Sequence, residues 1–106
     1  MVIVNPTGGL THCVYILYSV KDGNLYTGYT SDLPRRLTEH NQGRSKSTSC
    51  RRPLVLLKAE FYLSESDAQR REEYLKTTAG KKGVRLMLRD ALREVKKERE
   101  LAGKDD

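Results

Sequence analysis

The sequence predicts a small α/β (α+β) domain with three strands, flanking helices and an additional C-terminal helix. Three observations carry that expectation: three β-rich segments at 13–18, 25–30 and 54–63, an Asp-Gly turn joining the first two, and helix-entry signals after the second and third. At 106 residues the chain is one domain, able to bury roughly 65% of its unfolded surface.

The opening segment, 1–11, contains Pro6, Gly8 and Gly9 and reads as a flexible arm. In the first strand Val14, Ile16 and Tyr18 fall on one face, Tyr15 and Leu17 on the other. Lys21-Asp22-Gly23-Asn24 turns the chain, and residues 25–30 return along the first strand as a hairpin. Ser31 suits a helix N-cap, Asp32 the first turn, and Pro34 is tolerated there because its missing N–H would have no partner anyway. That helix runs to about His40, with Gly43 just past its end. Residues 42–53 make a basic, hydroxyl-rich loop before the third strand. A capping-box-like Ser64 to Asp67 opens a second helix through about Thr77, and Gly80-Lys81-Lys82-Gly83 is expected to break it. A third helix is expected from Val84, with an apolar stripe of Val84, Leu88, Ala91, Leu92 and Val95. The domain therefore spans 12–83, and 84–106 forms an amphipathic helix and charged tail packed on it.

Lys and Arg number 20 against 14 for Asp and Glu, a net charge of +6. This balance favours polyanionic partners, nucleic acid first, although solubility alone explains a charge of this size. Cys13 and Cys50 are too few for a disulfide framework. With His12 and His40 they fit no compact zinc spacing. No apolar run approaches the ~20 residues that span a bilayer, so no membrane partner and a cytoplasmic location are expected.

Val14-Tyr15-Ile16, followed by Tyr26-Thr27-Gly28, resembles the paired tripeptides that name the GIY-YIG nuclease family. Cys13 stands where glycine is usual, and Thr27 where isoleucine is. Residues 30–37 resemble the family's helix entry, with His40 and Asn41 one turn on, and residues 68–76 its acidic helix. The likeness spans 12–82 in the right order and suits the family's small stand-alone members, the UPF0213-like group. It implies one antiparallel three-stranded sheet flanked by helices. It further implies a metal-dependent endonuclease using Mg²⁺ or Mn²⁺ on nucleic acid, DNA ahead of RNA.

Helical geometry selects among adjacent candidates. At about 100° per residue, Arg36 and His40 project near Leu33 and Leu37, while Arg35 points away. A guanidinium beside an apolar stripe needs an anionic partner. Ala68, Glu72 and Leu75 likewise share a face that Glu73 avoids, so Glu72 must be neutralised, by metal or by base. A local pair with Lys76, four residues on, is the competing reading. The resemblance makes Tyr15, Tyr26, Arg36, His40 and Glu72 the catalytic set and Glu72 the metal ligand. Either tyrosine could take the proton from water, and Gly28 would admit substrate or merely aid strand packing.

Arg44, Lys46, Arg51, Arg52, Lys81 and Lys82 are candidate phosphate contacts, each equally readable as solvated surface. Two competing functions stay open. One is a nucleic-acid-binding module that keeps the fold without cutting; the other is an interaction protein whose C-terminal helix recruits a protein partner.

Overall fold

The computed structural model describes residues 9–103. Residues 1–8 of the expected arm and 104–106 of the expected tail lie outside them. Strands β1 (His12–Ser19), β2 (Leu25–Thr30) and β3 (Leu54–Tyr62) form one antiparallel sheet in the order β2-β1-β3. Helices α1 (Leu33–Asn41), α2 (Glu65–Leu75), α3 (Thr78–Met87) and α4 (Arg89–Gly103) complete the α+β architecture.

β1 is central, and residues Cys13 to Ser19 are all buried. Its alternation divides two cores. Val14 and Ile16 pack with Ala68, Leu75 and Val84 from α2 and α3. Cys13, Tyr15 and Leu17 pack with Leu33 and Leu37 of α1 and with Tyr26 of β2. Tyr18 joins Leu92 and Val95 of α4. Two-sided burial explains why this strand reads as nearly continuous apolar sequence rather than a polar alternation. On β3 the pairing skips Leu57 between Ile16 and Leu17, a bulge that shifts the register along that edge.

The hairpin closes as expected, with Gly23 at a positive φ of 76° and Ser19 N–H donating to the Asn24 carbonyl at 2.9 Å. Three helix expectations need correction. Asp32, not Ser31, caps α1, its carboxylate accepting from the Arg35 N–H. Ser64 holds the N-cap position of α2 without a capping hydrogen bond from its side chain.

The larger correction concerns Gly80 to Gly83, which lie inside α3 rather than breaking a helix. The true break falls earlier, where α2 ends and Thr77 caps α3 by accepting from the Gly80 N–H at 3.1 Å. A Cβ at Gly80 would overlap the Tyr74 carbonyl oxygen, so this glycine permits close approach to the end of α2. The helix expected from Val84 is thus two helices parted at Leu88, and the 83/84 division falls within α3.

The stripe itself faces inward: Val84, Leu92 and Val95 are buried, Leu88 and Ala91 half-buried. The domain itself therefore covers that stripe.

Candidate active site

The site grows from β1 and the edge strand β2. Leu17 faces Tyr26, and Tyr15 faces Gly28, so those residues share the face covered by α1. The Tyr15 phenol lies directly over Gly28, where any Cβ would overlap its oxygen. Glycine therefore lets a phenol from the central strand cross towards the sheet's outer edge. Tyr15 has no exposed surface, whereas Tyr26 is half-buried.

Helix α1 supplies the other two groups, on the face that carries Leu33 and Leu37. His40 is 1% exposed and stands between two hydroxyls. Its Nε2 is 2.9 Å from the Tyr15 Oη and its Nδ1 2.6 Å from the Thr48 Oγ1. Its ring also meets Tyr15 and Tyr26 edge-on, at centroid distances of 5.6 and 5.4 Å. Arg36 donates to the Ser45 Oγ at 3.1 Å and stands 3.6 Å from Glu39.

The electrostatics follow from this packing. Burial pushes Tyr15 up to about 12, and Arg36 partly offsets the rise through a hydrogen bond and its charge. For His40, burial and then the Arg36 charge lower the pKa, which keeps the imidazole neutral. Burial opposes the Arg36 charge, but both phenols, Tyr15 before Tyr26, more than compensate and raise its pKa. The arrangement is a cation fixed beside two phenols, with a neutral imidazole able to exchange a proton with one of them.

Glu72 is placed differently. It sits on α2, which covers the opposite face of the sheet, and its side chain is 21% exposed. Lys76 pairs with it at 3.3 Å, the local ion pair that the spacing allowed. Its other neighbour is Tyr29, whose pKa is raised first by burial and then by the carboxylates of Glu65 and Glu72. Tyr29 in turn stands 2.8 Å from His12 Nδ1. Tyr15, Tyr26, Arg36 and His40 thus form one cluster, and Glu72 lies across the edge strand from it. Glu73 is exposed, as the helix-face argument required.

The two sides meet along a groove on the outer side of β2, whose lining includes Tyr26 from one and Lys76 from the other. Among the described residues no group of three or more His, Cys, Asp and Glu could hold a metal ion. A fully protein-built metal cage is absent there.

Of the basic candidates, Arg44, Lys46, Lys81 and Lys82 are exposed. Arg51 and Arg52 hold partners within the domain. Arg51 pairs with Asp22 at 2.8 Å and so ties the loop to the hairpin turn. Arg52 donates to the Ser49 and Asn41 carbonyls, closing the end of α1.

Sequence reasoning missed Ser45 and Thr48, 5% and 0% exposed, which anchor Arg36 and His40. Their signal was present: the loop was rich in hydroxyls as well as in charge.

Residues 11–85 match the family described as the GIY-YIG catalytic domain. The chain belongs to the GIY-YIG family. Within it, a UPF0213 protein of Staphylococcus haemolyticus is 42% identical over 77 residues, covering 72% of this chain and 93% of that one. A UPF0213 protein of Staphylococcus saprophyticus is 40% identical over the same shares. The solution NMR structure of a UPF0213 protein from Bacillus halodurans is 37% identical, with a TM-score of 0.46 over 72% of this chain and 83% of that one. For a GIY-YIG domain the general expectation is nuclease activity, with nucleic acid as the partner class. Among the described residues no helix is long and apolar enough to cross a membrane.

Proposed function

We propose that this GIY-YIG protein is a metal-dependent endonuclease that hydrolyses phosphodiester bonds at the outer edge of β2, in DNA ahead of RNA. The observation that carries the reading is the Tyr15 phenol crossing Gly28, with Tyr26, Arg36 and His40 gathered around it.

Tyr26, more accessible than Tyr15, meets the attacking water and, acting as its phenolate, takes the water's proton to become the neutral phenol while the hydroxide attacks phosphorus. Tyr15 is a positioning residue behind it: buried, and held to His40 at 2.9 Å, it fixes Tyr26 and Arg36 in place. A phenol whose pKa is pushed up to about 12 keeps its proton at neutral pH, which suits a hydrogen-bonding role better than that of a base. Neutral His40 serves Tyr15 either as acceptor or as donor, with Thr48 adjusting on its other side.

Arg36 grips the phosphate through its planar fork and neutralises charge as the pentavalent arrangement forms. Its contact with Glu39 is long at 3.6 Å and half-exposed, so a phosphate can replace it.

Glu72 fits a Mg²⁺ or Mn²⁺ ion. One carboxylate, completed by waters and phosphate oxygens, is a usual environment for a hard ion that dehydrates reluctantly. Its partner Lys76 is exposed and free to swing away. When bound, such an ion supplies charge neutralisation at the leaving oxygen.

The test is incubation with single-stranded, duplex and branched DNA in Mg²⁺ or Mn²⁺. Cleavage should fall by about 100-fold or more in both Glu72→Ala and Tyr26→Phe. Binding that weakens with salt but never cuts any substrate would instead support a non-cleaving module.

A further inference from the structure

The groove beside β2 has a volume of about 380 Å³, within the roughly 300–1,000 Å³ typical of small-ligand sites. Its lining is chemically mixed. Half-buried Leu25 of β2 supplies apolar surface, over a floor formed by Leu75 at the end of α2 and Val84 of α3, which are 2% and 3% exposed. Lys76, Lys81 and Arg85 supply positive charge. Lys81 and Arg85 are four residues apart and so lie on one face of α3. Among the described residues neither has an acidic partner.

Cations alone would suit any polyanion. A phosphate backbone, however, stays solvated and gains nothing from leucine and valine. An apolar partner gains nothing from two unpaired cations. A nucleotide whose base has left its stack uses both, the base lying on the apolar lining and its flanking phosphates meeting Lys81 and Arg85. A base inside continuous duplex has both faces covered and must first be extruded, at a cost of a few kcal/mol. An edge strand also presents alternate N–H and C=O groups outward, which can pair with the edge of such a base.

We infer that this groove is a subsite for one unpaired nucleotide adjacent to the scissile phosphate. The substrate is then a strand with an unstacked base, such as a single-stranded end, flap or branch, in preference to continuous duplex. The inference rests on the nuclease reading, because Tyr26 and Lys76 connect the groove to the phenol cluster and to Glu72.

The experiment uses the full chain in EDTA, where metal-dependent cutting is off, with a short deoxyoligonucleotide carrying 2-aminopurine. The fluorescence should respond on binding, and the NMR methyl signals of Leu75 and Val84 should shift. An otherwise identical strand with an abasic position should bind on the order of tenfold more weakly. Lys81→Ala combined with Arg85→Ala should weaken the intact strand by a similar factor. Arg93→Ala combined with Lys96→Ala removes equal charge from exposed positions on α4 and should change affinity by no more than about twofold.

Equal affinity for intact and abasic strands would overturn the inference. So would Leu75 and Val84 signals that stay fixed, or that move equally with blunt duplex. Cutting in Mg²⁺ separates the two readings. Base-independent cutting removes the subsite and keeps the nuclease; base-dependent binding without cutting does the reverse.

Discussion

The two faces of the sheet are built from the same strand yet solve different problems. On the α2–α3 face, Val14 and Ile16 meet Ala68, Leu75 and Val84, a dry contact of aliphatic side chains. On the α1 face, Tyr15 meets His40, which reaches Thr48 with its other ring nitrogen, and Arg36 is held by Ser45. The first holds the domain together by removing apolar surface from water. The second buries polar groups that must each find a partner, so its order depends on hydrogen bonds with defined geometry. Alternation along β1 lets a single segment anchor the fold and orient the chemistry at once.

The largest effect that would break this comparison comes from the dry face. Ile16→Ala should cost about 2–5 kcal/mol of stability, measured by urea unfolding. Tyr15→Phe, one residue away on the other face, should cost no more than about 1–2 kcal/mol. Equal losses would mean that the α1 face is structural core like its counterpart.

Acid should separate the faces next. Glu60 pairs opposite Val14 and joins α2 to the sheet through Arg71 at 3.0 and 3.2 Å. Burial raises its pKa, but hydrogen bonds from Arg71, Tyr62 and Lys58 overcome this and bring it down to about 2. The unfolded chain then binds the proton more readily. Stability is complete above the unfolded value near 4.5 and is lost as pH falls through about 2. After allowance for solvent screening the loss is about 2 kcal/mol, and Glu60→Gln should remove it. On the α1 face the lowered His40 pKa makes stability decline earlier, as pH drops below the usual 6.5. A single acid transition common to wild type and both Glu60→Gln and His40→Gln would contradict two separately titrating faces.

The smallest effect sharpens the role of the hidden hydroxyl. Thr48→Val keeps shape but removes the partner of His40 Nδ1. It should cost about 1 kcal/mol and shift the pH profile of cleavage more than its KM. An unchanged profile would reduce Thr48 to packing.

Much of the architecture was legible in local pattern. The alternation of β1, the Asp22-Gly23 turn and the preference for Arg36 over Arg35 all follow from rules that act within a few residues. Glu72 was singled out correctly as the half-buried carboxylate of its helix, yet helix geometry gives no information on which sheet face that helix covers. Gly80 and Gly83 suggested a break because glycine costs helical stability. The close approach of Gly80 to the end of α2 is a tertiary contact that no local propensity encodes. The intramolecular partners of Arg51 and Arg52 are not legible locally, because Asp22 and the Asn41 carbonyl are distant in sequence. Ser45 and Thr48 escaped notice for the related reason that hydroxyls in a loop ordinarily face water.

Burial of β1 from Cys13 to Ser19 has one more consequence. A comprehensive substitution scan would find hardly any permissive position along it, since each change disturbs either the aliphatic layer or the phenol's setting. Sequence drift is thereby channelled to the outer surfaces of the helices, where new binding preferences can arise without touching the reactive centre.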